Sequence, residues 1–307
     1  MTMRVFIDGA AGTTGLEIVE RLESRSEFEL LVLGEASRKD AGRRREAFRS
    51  ADFAVLCLPD EAAREAVALA AGSAVRIIDA SSAHRVSEGW TFGFPEVVGR
   101  EAVASAARVS NPGCYSTGFI ALMAPLVRRG LLPADWPYTC HAVSGYSGGG
   151  KALIARFEAD RDIAYRDYAL TLGHKHVPEM QVRTGLVHAP LFCPAVIPAH
   201  RGMVVEVPLH LAQMPGAASL DALRDCLTSF YAASRVVRFH AEAPEELLLR
   251  ASMPPSDRLE LYLFGAQNGS QARLVAVLDN LGKGASGAAV QNLNLMAGLD
   301  ETAGLRL

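Results

Sequence analysis

The stretch VFIDGAAGTTG, residues 5–15, decides the class of fold. Its apolar start predicts a buried strand over residues 4–7, and apolar residues at helical spacing predict a helix over residues 14–23. Glycines between the two allow a tight turn and let the backbone approach a pyrophosphate, which free N–H groups at the helix N-terminus can bind. The stretch therefore predicts the first strand–turn–helix unit of a dinucleotide-binding fold.

The cofactor contacts predicted from this turn are Gly9, Gly12, Thr13, Thr14 and Gly15. Their spacing is GxxGxxG and not the commoner GxGxxG, so the prediction depends on the position of the turn directly after the first strand. A glycine-rich turn that holds no ligand is the alternative.

The alternation of strands and helices continues through the first 110 residues. Strands are predicted at residues 30–33, 53–58, 75–78 and 108–110, and a helix at residues 60–71. Alternation at this spacing predicts an α/β fold whose parallel strands form a doubly wound sheet.

The second half of the chain has more strands than helices. Strands are predicted at residues 137–143, 191–197, 203–211, 259–264 and 273–278, and helices at residues 151–159 and 219–232. This pattern predicts a mixed α+β domain with a largely antiparallel sheet. We expect a cofactor domain over residues 1–113, with a C-terminal helix at 285–307 packing back on it, and a catalytic domain over residues 114–284.

The composition excludes several classes of protein. The 31 Lys and Arg against 34 Asp and Glu give a net charge of −3, without the basic character of a nucleic-acid-binding protein. No apolar run is long enough to span a membrane, and no secretory signal is visible. The five cysteines form no CxxC pair, which is typical of a reducing compartment. We expect a cytoplasmic enzyme that binds neither nucleic acid nor membrane.

The loop after the second predicted strand, GEASRK at residues 34–39, bears on the choice of cofactor. The hydroxyl of Ser37 and the cations of Arg38 and Lys39 suit the 2′-phosphate of NADP. Glu35 could instead bind the ribose hydroxyls of NAD, and a solvated loop without a cofactor role is a third interpretation. The loop favours NADP.

A cysteine follows a Pro-Gly turn in the stretch NPGCYSTG, residues 111–118. Cys114 precedes an apolar helix predicted over residues 119–127, and a helix N-terminus favours the thiolate and can stabilise an oxyanion. We predict that Cys114 is a nucleophile whose acyl product accepts a hydride. The other four cysteines are expected to pack in the core.

Two histidines in GHKHVPE, residues 173–179, are the candidate proton partners of a thiolate. Residues two apart share a face on a strand but not on a helix, so we expect only one of His174 and His176 to point into the site. A metal held by both histidines and Glu179 is the alternative, although standard zinc spacing is absent, and we expect no metal. The other histidines are expected to be structural or to lie on the surface: His84, His141, His188, His200, His210 and His240.

An anionic substrate needs cations. Arg85 follows the fourth predicted strand, at the carboxyl edge where open α/β sheets bind ligands, and could clamp a phosphate or carboxylate. Arg201 is a second candidate. SGYSGGGK, residues 144–151, lacks the Ser or Thr that follows the lysine of a P-loop, so we expect a backbone loop shaped around the substrate.

These motifs together resemble the N-acetyl-γ-glutamyl-phosphate reductases in their shorter form, within the semialdehyde dehydrogenase group. Besides VFIDGAAGTTG, the resemblance rests on SSAHR at 81–85, GFPE at 93–96, SNPGCYSTG at 110–118, AVSGYSGGGK at 142–151, HKHVPEM at 174–180 and LDNLGKGASGAAVQNLNLM at 278–296. Ala10 and Ser116 depart from the Glu and Pro common in this family, but neither change removes a reacting group. The resemblance implies a Rossmann-type cofactor domain and NADPH-dependent reduction of N-acetyl-γ-glutamyl phosphate to the semialdehyde, in arginine biosynthesis.

The resemblance also implies roles for single residues. Cys114 matches the nucleophile, His176 is similar to the proposed acid/base, and Arg85 matches the position that holds the acyl phosphate. Lys283 and Gly284 lie in the segment that returns to the nicotinamide. The substrate contacts carried over from the motifs, besides Arg85 and Arg201, are Asn111, Ser144, Gly145 and Glu179.

The implied partners are an acyl-phosphate substrate and further copies of the chain, in a dimer or tetramer. Two alternatives remain open. One is a related phosphorylating semialdehyde dehydrogenase that acts on aspartyl phosphate or a glyceraldehyde phosphate. The other is a catalytically silent NADP-binding regulator; a cysteine hydrolase is less favoured because it leaves the glycine turn without a role.

Overall fold

The computed structural model describes residues 2–242 and 244–307; Met1, at the start of the expected cofactor domain, lies outside them. The chain divides into two compact units. The first unit comprises Met1–Gly113 and Ala285–Leu305, and the second comprises Cys114–Gly284 and Arg306–Leu307.

The first unit is built on a six-stranded sheet in which every pair of neighbours is parallel. Its strands are β1 (Met3–Asp8), β2 (Phe28–Leu31), β3 (Phe53–Leu56), β4 (Arg76–Asp79), β5 (Thr91–Phe92) and β6 (Arg108–Ser110). Its helices before the second unit are α1 (Thr13–Leu22), α2 (Ala41–Ser50), α3 (Asp60–Leu69), α4 (Pro95–Val98) and α5 (Arg100–Ala104). The strand order β2-β1-β3-β4-β6-β5 confirms the predicted doubly wound parallel sheet.

The C-terminal helix, Gly287–Met296, completes the core of the first unit. Its Val290 and Leu293 are buried in one cluster with Val5, Ile78 and other strand residues. The expected helix over residues 285–307 was too long at its end. Gly298, at φ +70°, adopts the left-handed conformation that ends helices, and turns follow it.

The second unit is built on a seven-stranded mixed sheet in the order β11-β12-β13-β10-β7-β9-β8. Its strands are β7 (Thr139–Gly145), β8 (Arg166–Asp167), β9 (Leu191–Ile197), β10 (Met203–Leu209), β11 (Val237–Phe239), β12 (Leu259–Gly265) and β13 (Ala272–Leu278). β7 pairs with β9 and β11 with β12 in parallel, and the other neighbours are antiparallel. The predicted mixed α+β class with a largely antiparallel sheet is confirmed.

The helices of the second unit are α6 (Cys114–Arg128), α7 (Gly150–Ala159), α8 (Val177–Thr184) and α9 (Leu220–Tyr231). α6 is buried along most of its length and packs closely on the sheet, because a Cβ at Gly118 would lie 2.8 Å from the Val205 side chain. Close packing on the sheet therefore fixes the position of α6, whose first residue is Cys114. Within the described residues, no helix has both the length and the apolar character needed to cross a bilayer.

Candidate active site

At two positions of the β1–α1 turn, close contacts within the protein leave no room for a side chain. Gly9 has φ +89°, and a Cβ there would lie 2.3 Å from the Cys57 carbonyl oxygen. A Cβ at Gly15 would lie 2.5 Å from the Gly9 carbonyl oxygen. Gly12 differs, because the nearest atom to its ideal Cβ is 3.5 Å away, at ordinary contact distance. The turn itself therefore gives no steric reason for a glycine at position 12.

A pocket of about 760 Å³ opens in the first unit beside this turn. Its wall includes Gly9 and, from the loop after β2, Glu35, Arg38 and Lys39. The Arg38 guanidinium lies 3.3 Å from the Glu35 carboxylate, and both side chains are largely exposed. Ser37 instead donates its hydroxyl to the Gly34 carbonyl at 3.2 Å. Thr13 and Thr14 are in the first turn of α1.

Three charged residues of this pocket were missed by the sequence analysis. Arg44 of α2 is buried and donates to Asp8 at 2.9 and 3.1 Å and to Glu65 at 2.9 Å. Burial raises the pKa of Asp8, and the hydrogen bond and charge of Arg44 oppose that rise. The sequence gives one signal for Asp8, which directly precedes Gly9 of the glycine turn. The sequence pattern of α2 gives no signal that Arg44 pairs with Asp8.

Cys114 is the first residue of α6 and is followed by the buried Tyr115. Tyr115 donates its hydroxyl to the Ala195 carbonyl at 3.0 Å. A Cβ at Gly284 would lie 2.8 Å from the Cβ of Cys114, so a glycine is needed at position 284 to leave room for the thiol-bearing residue. Lys283, next to it, is itself buried.

The structure places both histidines of HKH against Tyr115. The Tyr115 ring centroid is 5.8 Å from that of His174 and 5.9 Å from that of His176. The prediction that only one of them points into the site rested on a regular strand or helix, which the structure does not have at these residues, and it stays a prediction. His174 lies in the turn before α8 and His176 is the N-cap residue of α8, so neither alternation rule applies. Glu179 is buried in the first turn of α8.

The structure gives packing reasons for two of the predicted substrate residues on β7. A Cβ at Gly145 would lie 2.7 to 2.8 Å from the backbone of residues 199–201, so this glycine allows a close approach of two chain segments. The Ser144 hydroxyl donates to the Gly145 carbonyl at 3.0 Å. Arg201 donates to Asp279 at 2.8 Å, and its cation thereby neutralises a fully buried carboxylate.

Asn111 of the first unit holds several segments together. Its side-chain amide donates to the Ala285 carbonyl at 3.0 Å, and its Oδ1 accepts from Asn292 of the C-terminal helix at 3.0 Å. Its backbone carbonyl accepts from Nε of Arg85 at 3.0 Å. With 1% of its surface exposed, Asn111 serves the packing of this unit.

His84 lies in the same loop as Arg85. Its Nδ1 is 2.6 Å from the fully buried carboxylate of Asp79, and its ring stacks on Trp90 with centroids 4.2 Å apart. These contacts fix the loop that carries Arg85 at the carboxyl end of β4.

Three of the other cysteines are less suited to act as nucleophiles. Burial, with the charges of Asp79 and Asp8, raises the pKa of Cys57 to about 12. Burial also raises the pKa of Cys140 and, against the opposing charge of Arg129, that of Cys226. Across residues 2–242 and 244–307, the His, Cys, Asp and Glu side chains form no group of three that could hold a metal ion.

Both units match models of known protein domains. The model described as the NAD binding domain of semialdehyde dehydrogenase matches residues 4–106, and the one described as the dimerisation domain matches residues 114–280. The chain is 51% identical to N-acetyl-gamma-glutamyl-phosphate reductase 2 of Pseudomonas putida, with 96% of each chain covered. It is 49% identical to the N-acetyl-gamma-glutamyl-phosphate reductase of Burkholderia ambifaria, again with 96% of each covered.

The chain belongs to the N-acetyl-gamma-glutamyl-phosphate reductase family. The resemblance inferred from the motifs is thereby confirmed. The first unit carries the NAD binding domain of the semialdehyde dehydrogenases, so the cofactor is a nicotinamide dinucleotide, and the second unit carries their dimerisation domain.

Solved structures of aspartate semialdehyde dehydrogenases share the fold of this reductase family member. Aspartate semialdehyde dehydrogenase II of Vibrio cholerae superposes with a TM-score of 0.71 at 18% identity, covering 97% of this chain and 99% of that one. A probable aspartate-semialdehyde dehydrogenase of Pseudomonas aeruginosa gives 0.72 at 17% identity, with the same coverage. At this identity the likeness concerns the fold.

Proposed function

We propose that the chain reduces N-acetyl-γ-glutamyl phosphate to N-acetylglutamate semialdehyde and phosphate, with NADPH as cofactor and Cys114 as nucleophile. This is a step of arginine biosynthesis. The observation that carries the proposal is the place of Cys114 at the start of a buried helix. It is followed by Tyr115, against which the rings of His174 and His176 pack. The names of relatives about half identical over almost the full chain supply the substrate.

The chemistry begins at the sulfur of Cys114. Its thiolate attacks the acyl-phosphate carbonyl, the C–O bond to phosphate breaks, and a thioester remains on the enzyme. Backbone N–H groups at the start of α6 stabilise the oxyanion that forms during the attack. We assign Arg85 to the phosphate group, and Ser144 and Glu179 to the substrate, on the family motifs.

NADPH, when bound, supplies the hydride that reduces the thioester. The resulting thiohemiacetal oxyanion collapses to the aldehyde and expels the sulfur of Cys114. The imidazolium of His176 donates its proton to that sulfur, and the thiol returns the proton to His176 when the thiolate forms again. His176 therefore exchanges one proton with Cys114 in each turnover.

The residues of the first unit fit such a cofactor. Gly12 has no side chain to block the approach of a pyrophosphate to the backbone, and α1 begins directly after it. Leu16 and Val32 line the pocket and are 52% and 43% exposed, which suits the flat face of an adenine. Arg38 and Lys39 supply the positive charge for a 2′-phosphate. We assign Lys283 and Gly284 to the nicotinamide end on the family motif.

Substituting the turn glycines separates folding from cofactor binding. Gly12→Ala is expected to keep the stability of the wild type but to weaken NADPH binding by about tenfold or more, because a methyl group would meet the pyrophosphate. Gly15→Ala is expected to cost about 1–3 kcal/mol of stability, since its Cβ meets the Gly9 carbonyl. Urea unfolding and NADPH fluorescence titration measure the two effects. An NADPH affinity equal to that of the wild type in Gly12→Ala would contradict the predicted close approach of the pyrophosphate to the backbone at Gly12.

The choice between NADPH and NADH can be tested at Arg38. Arg38→Ala is expected to raise KM for NADPH by about 10- to 100-fold, the loss of a charge-assisted phosphate contact, and to leave KM for NADH unchanged. Arg43→Ala is the matched control, because Arg43 makes the same i,i+3 pair, with Glu46 at 3.3 Å, on the exposed surface of α2. If Glu35→Gln raises KM for NADH while Arg38→Ala changes nothing, the cofactor is NAD.

The substrate is tested by measuring phosphate-dependent NADP⁺ reduction with N-acetylglutamate semialdehyde and with aspartate semialdehyde. The proposal expects turnover with the acetylated compound and strict dependence on phosphate. A preference for aspartate semialdehyde would favour the related dehydrogenase. Cofactor binding without turnover of either compound would favour a regulator.

We further propose that the first unit is the cofactor domain, and that the second is the catalytic domain and joins copies of the chain into a homo-oligomer through its matched dimerisation domain. The five free cysteines suit a cytoplasmic location.

A further inference from the structure

His174 makes two hydrogen bonds that together define the state of its ring. Its Nδ1 lies 3.1 Å from the backbone nitrogen of His176. Since a backbone N–H can only donate, Nδ1 accepts and carries no proton. A neutral imidazole then carries its proton on Nε2, which lies 3.2 Å from the hydroxyl oxygen of Tyr168. The geometry therefore selects the neutral Nε2–H tautomer.

Aromatic rings hold the His174 ring in this orientation. It meets Phe192, Tyr115 and Tyr168 edge to face, at centroid distances of 5.0, 5.8 and 5.6 Å. Rotating the ring to exchange its two nitrogens would break both hydrogen bonds in a packed environment. The chosen tautomer is thus fixed by packing as well as by hydrogen bonding.

Tyr168 is suited to accept the proton of Nε2. Burial raises the pKa of Tyr168 to about 12, so its hydroxyl stays protonated and uncharged near neutral pH. The Arg166 guanidinium lies 4.6 Å from the Tyr168 ring centroid. The charged or titratable groups around His174 include the two phenols, His176 and, through the tyrosines, Cys114 and Arg166.

We propose that His174 is a positioning residue, which sets the place of the His176 imidazole by holding the backbone N–H of His176, and that it does so as a neutral ring. The proposal rests on the assignment of His176 as the acid/base. Protonation of His174 at Nδ1 would set two N–H groups against each other and break this contact. His174 consequently does not take part in proton transfer, although it lies two residues from His176 and touches the same tyrosine.

Kinetics of two substitutions test the role. His174→Ala removes the acceptor and is expected to lower kcat by about 10- to 100-fold, the usual cost of a misplaced catalytic group, with KM for the acyl phosphate changed by less than about threefold. His174→Asn keeps an acceptor, because an asparagine oxygen can bind the N–H two residues on, and should recover most of kcat. His188→Asn, at an exposed histidine, is the control and should change neither constant.

The pH profile separates positioning from proton transfer. Both His174 variants are expected to keep the pH dependence of kcat, since the titrating group remains, and His176→Asn is expected to lose it. If both His174 variants lose the pH dependence and Asn recovers no activity, while His176→Asn keeps it, His174 is the acid/base and the proposal is overturned.

A measurement that does not need activity distinguishes failure of this proposal from failure of the proposed function. Nitrogen-15 NMR of histidine-labelled full-length protein is expected to show His174 as the Nε2–H tautomer, without titration between pH 6 and 8, about the range in which an unperturbed histidine changes charge. A titrating His174, or the opposite tautomer, would overturn the proposal whatever the substrate proves to be. The signal is assigned by its loss in His174→Asn.

Discussion

Replacing Cys114 by alanine is expected to lower acyl-phosphate reduction by at least about 10⁴-fold, because no thioester can form without the sulfur. Alanine is smaller than cysteine and does not crowd Gly284, so the packing around this position should persist. NADPH affinity, measured by fluorescence titration, should stay within about twofold of the wild type, since the pocket lies in the first unit. Measurable turnover above a hundredth of the wild-type rate would contradict the covalent route.

The control for this substitution is Cys193→Ala, at a partly exposed cysteine in β9, which should keep full activity. Alkylation by iodoacetamide gives a second measure. Cys114 should react first and be protected by substrate, whereas Cys140 is buried and the raised pKa of Cys57 keeps its thiol protonated at neutral pH. Substrate protection is not expected at Cys193.

Replacing His176 by asparagine is expected to lower kcat by about 10²- to 10⁴-fold, the usual contribution of general acid–base catalysis. The residual rate should no longer depend on a group that titrates near neutral pH. The His176 side chain makes no capping hydrogen bond to α8, so replacing it removes no cap, and a loss of stability should not account for the effect. Thermal unfolding of the variant checks this.

Two outcomes would contradict the assignment of His176. One is a kcat within threefold of the wild type, because the decrease would then be far smaller than the roughly 100-fold minimum expected. The other is an unchanged rate of Cys114 alkylation together with an unchanged pH profile of kcat, since His176 should no longer exchange a proton with that thiol.

The parts of the fold predicted best from the sequence are those with strong local patterns. Strand β9 (Leu191–Ile197) was predicted because an apolar run bounded by turn residues identifies a buried strand. The turn at residues 9–15 was predicted because its glycines lie between such a strand and a helical pattern. α2 (Ala41–Ser50) was missed because it is rich in arginine. The two apolar residues that it buries, Ala47 and Phe48, are too few to form a helical pattern in the sequence. β5 has two residues, too few to show any period.

The parts of the site that could not be predicted depend on contacts between distant residues. Gly284 is a glycine because Cys114 approaches it, and 170 positions separate the two in the sequence. The pairing of Arg44 with Asp8 could not be predicted for the same reason, because the two residues are distant in the sequence. The HKH stretch is a different case: its local backbone is an irregular turn into α8, so periodicity, which describes only regular elements, gives no basis for orienting the two rings.

The late position of the C-terminal helix has a consequence for synthesis on the ribosome. When the first 113 residues have emerged, all six strands of their sheet exist, but Val290 and Leu293, which complete their hydrophobic cluster, do not. The nascent sheet must keep an apolar surface uncovered while the whole second unit is translated, a period in which chaperones can bind it. The first unit, whose sheet is synthesised first, can therefore complete its hydrophobic core only after the second unit has been synthesised.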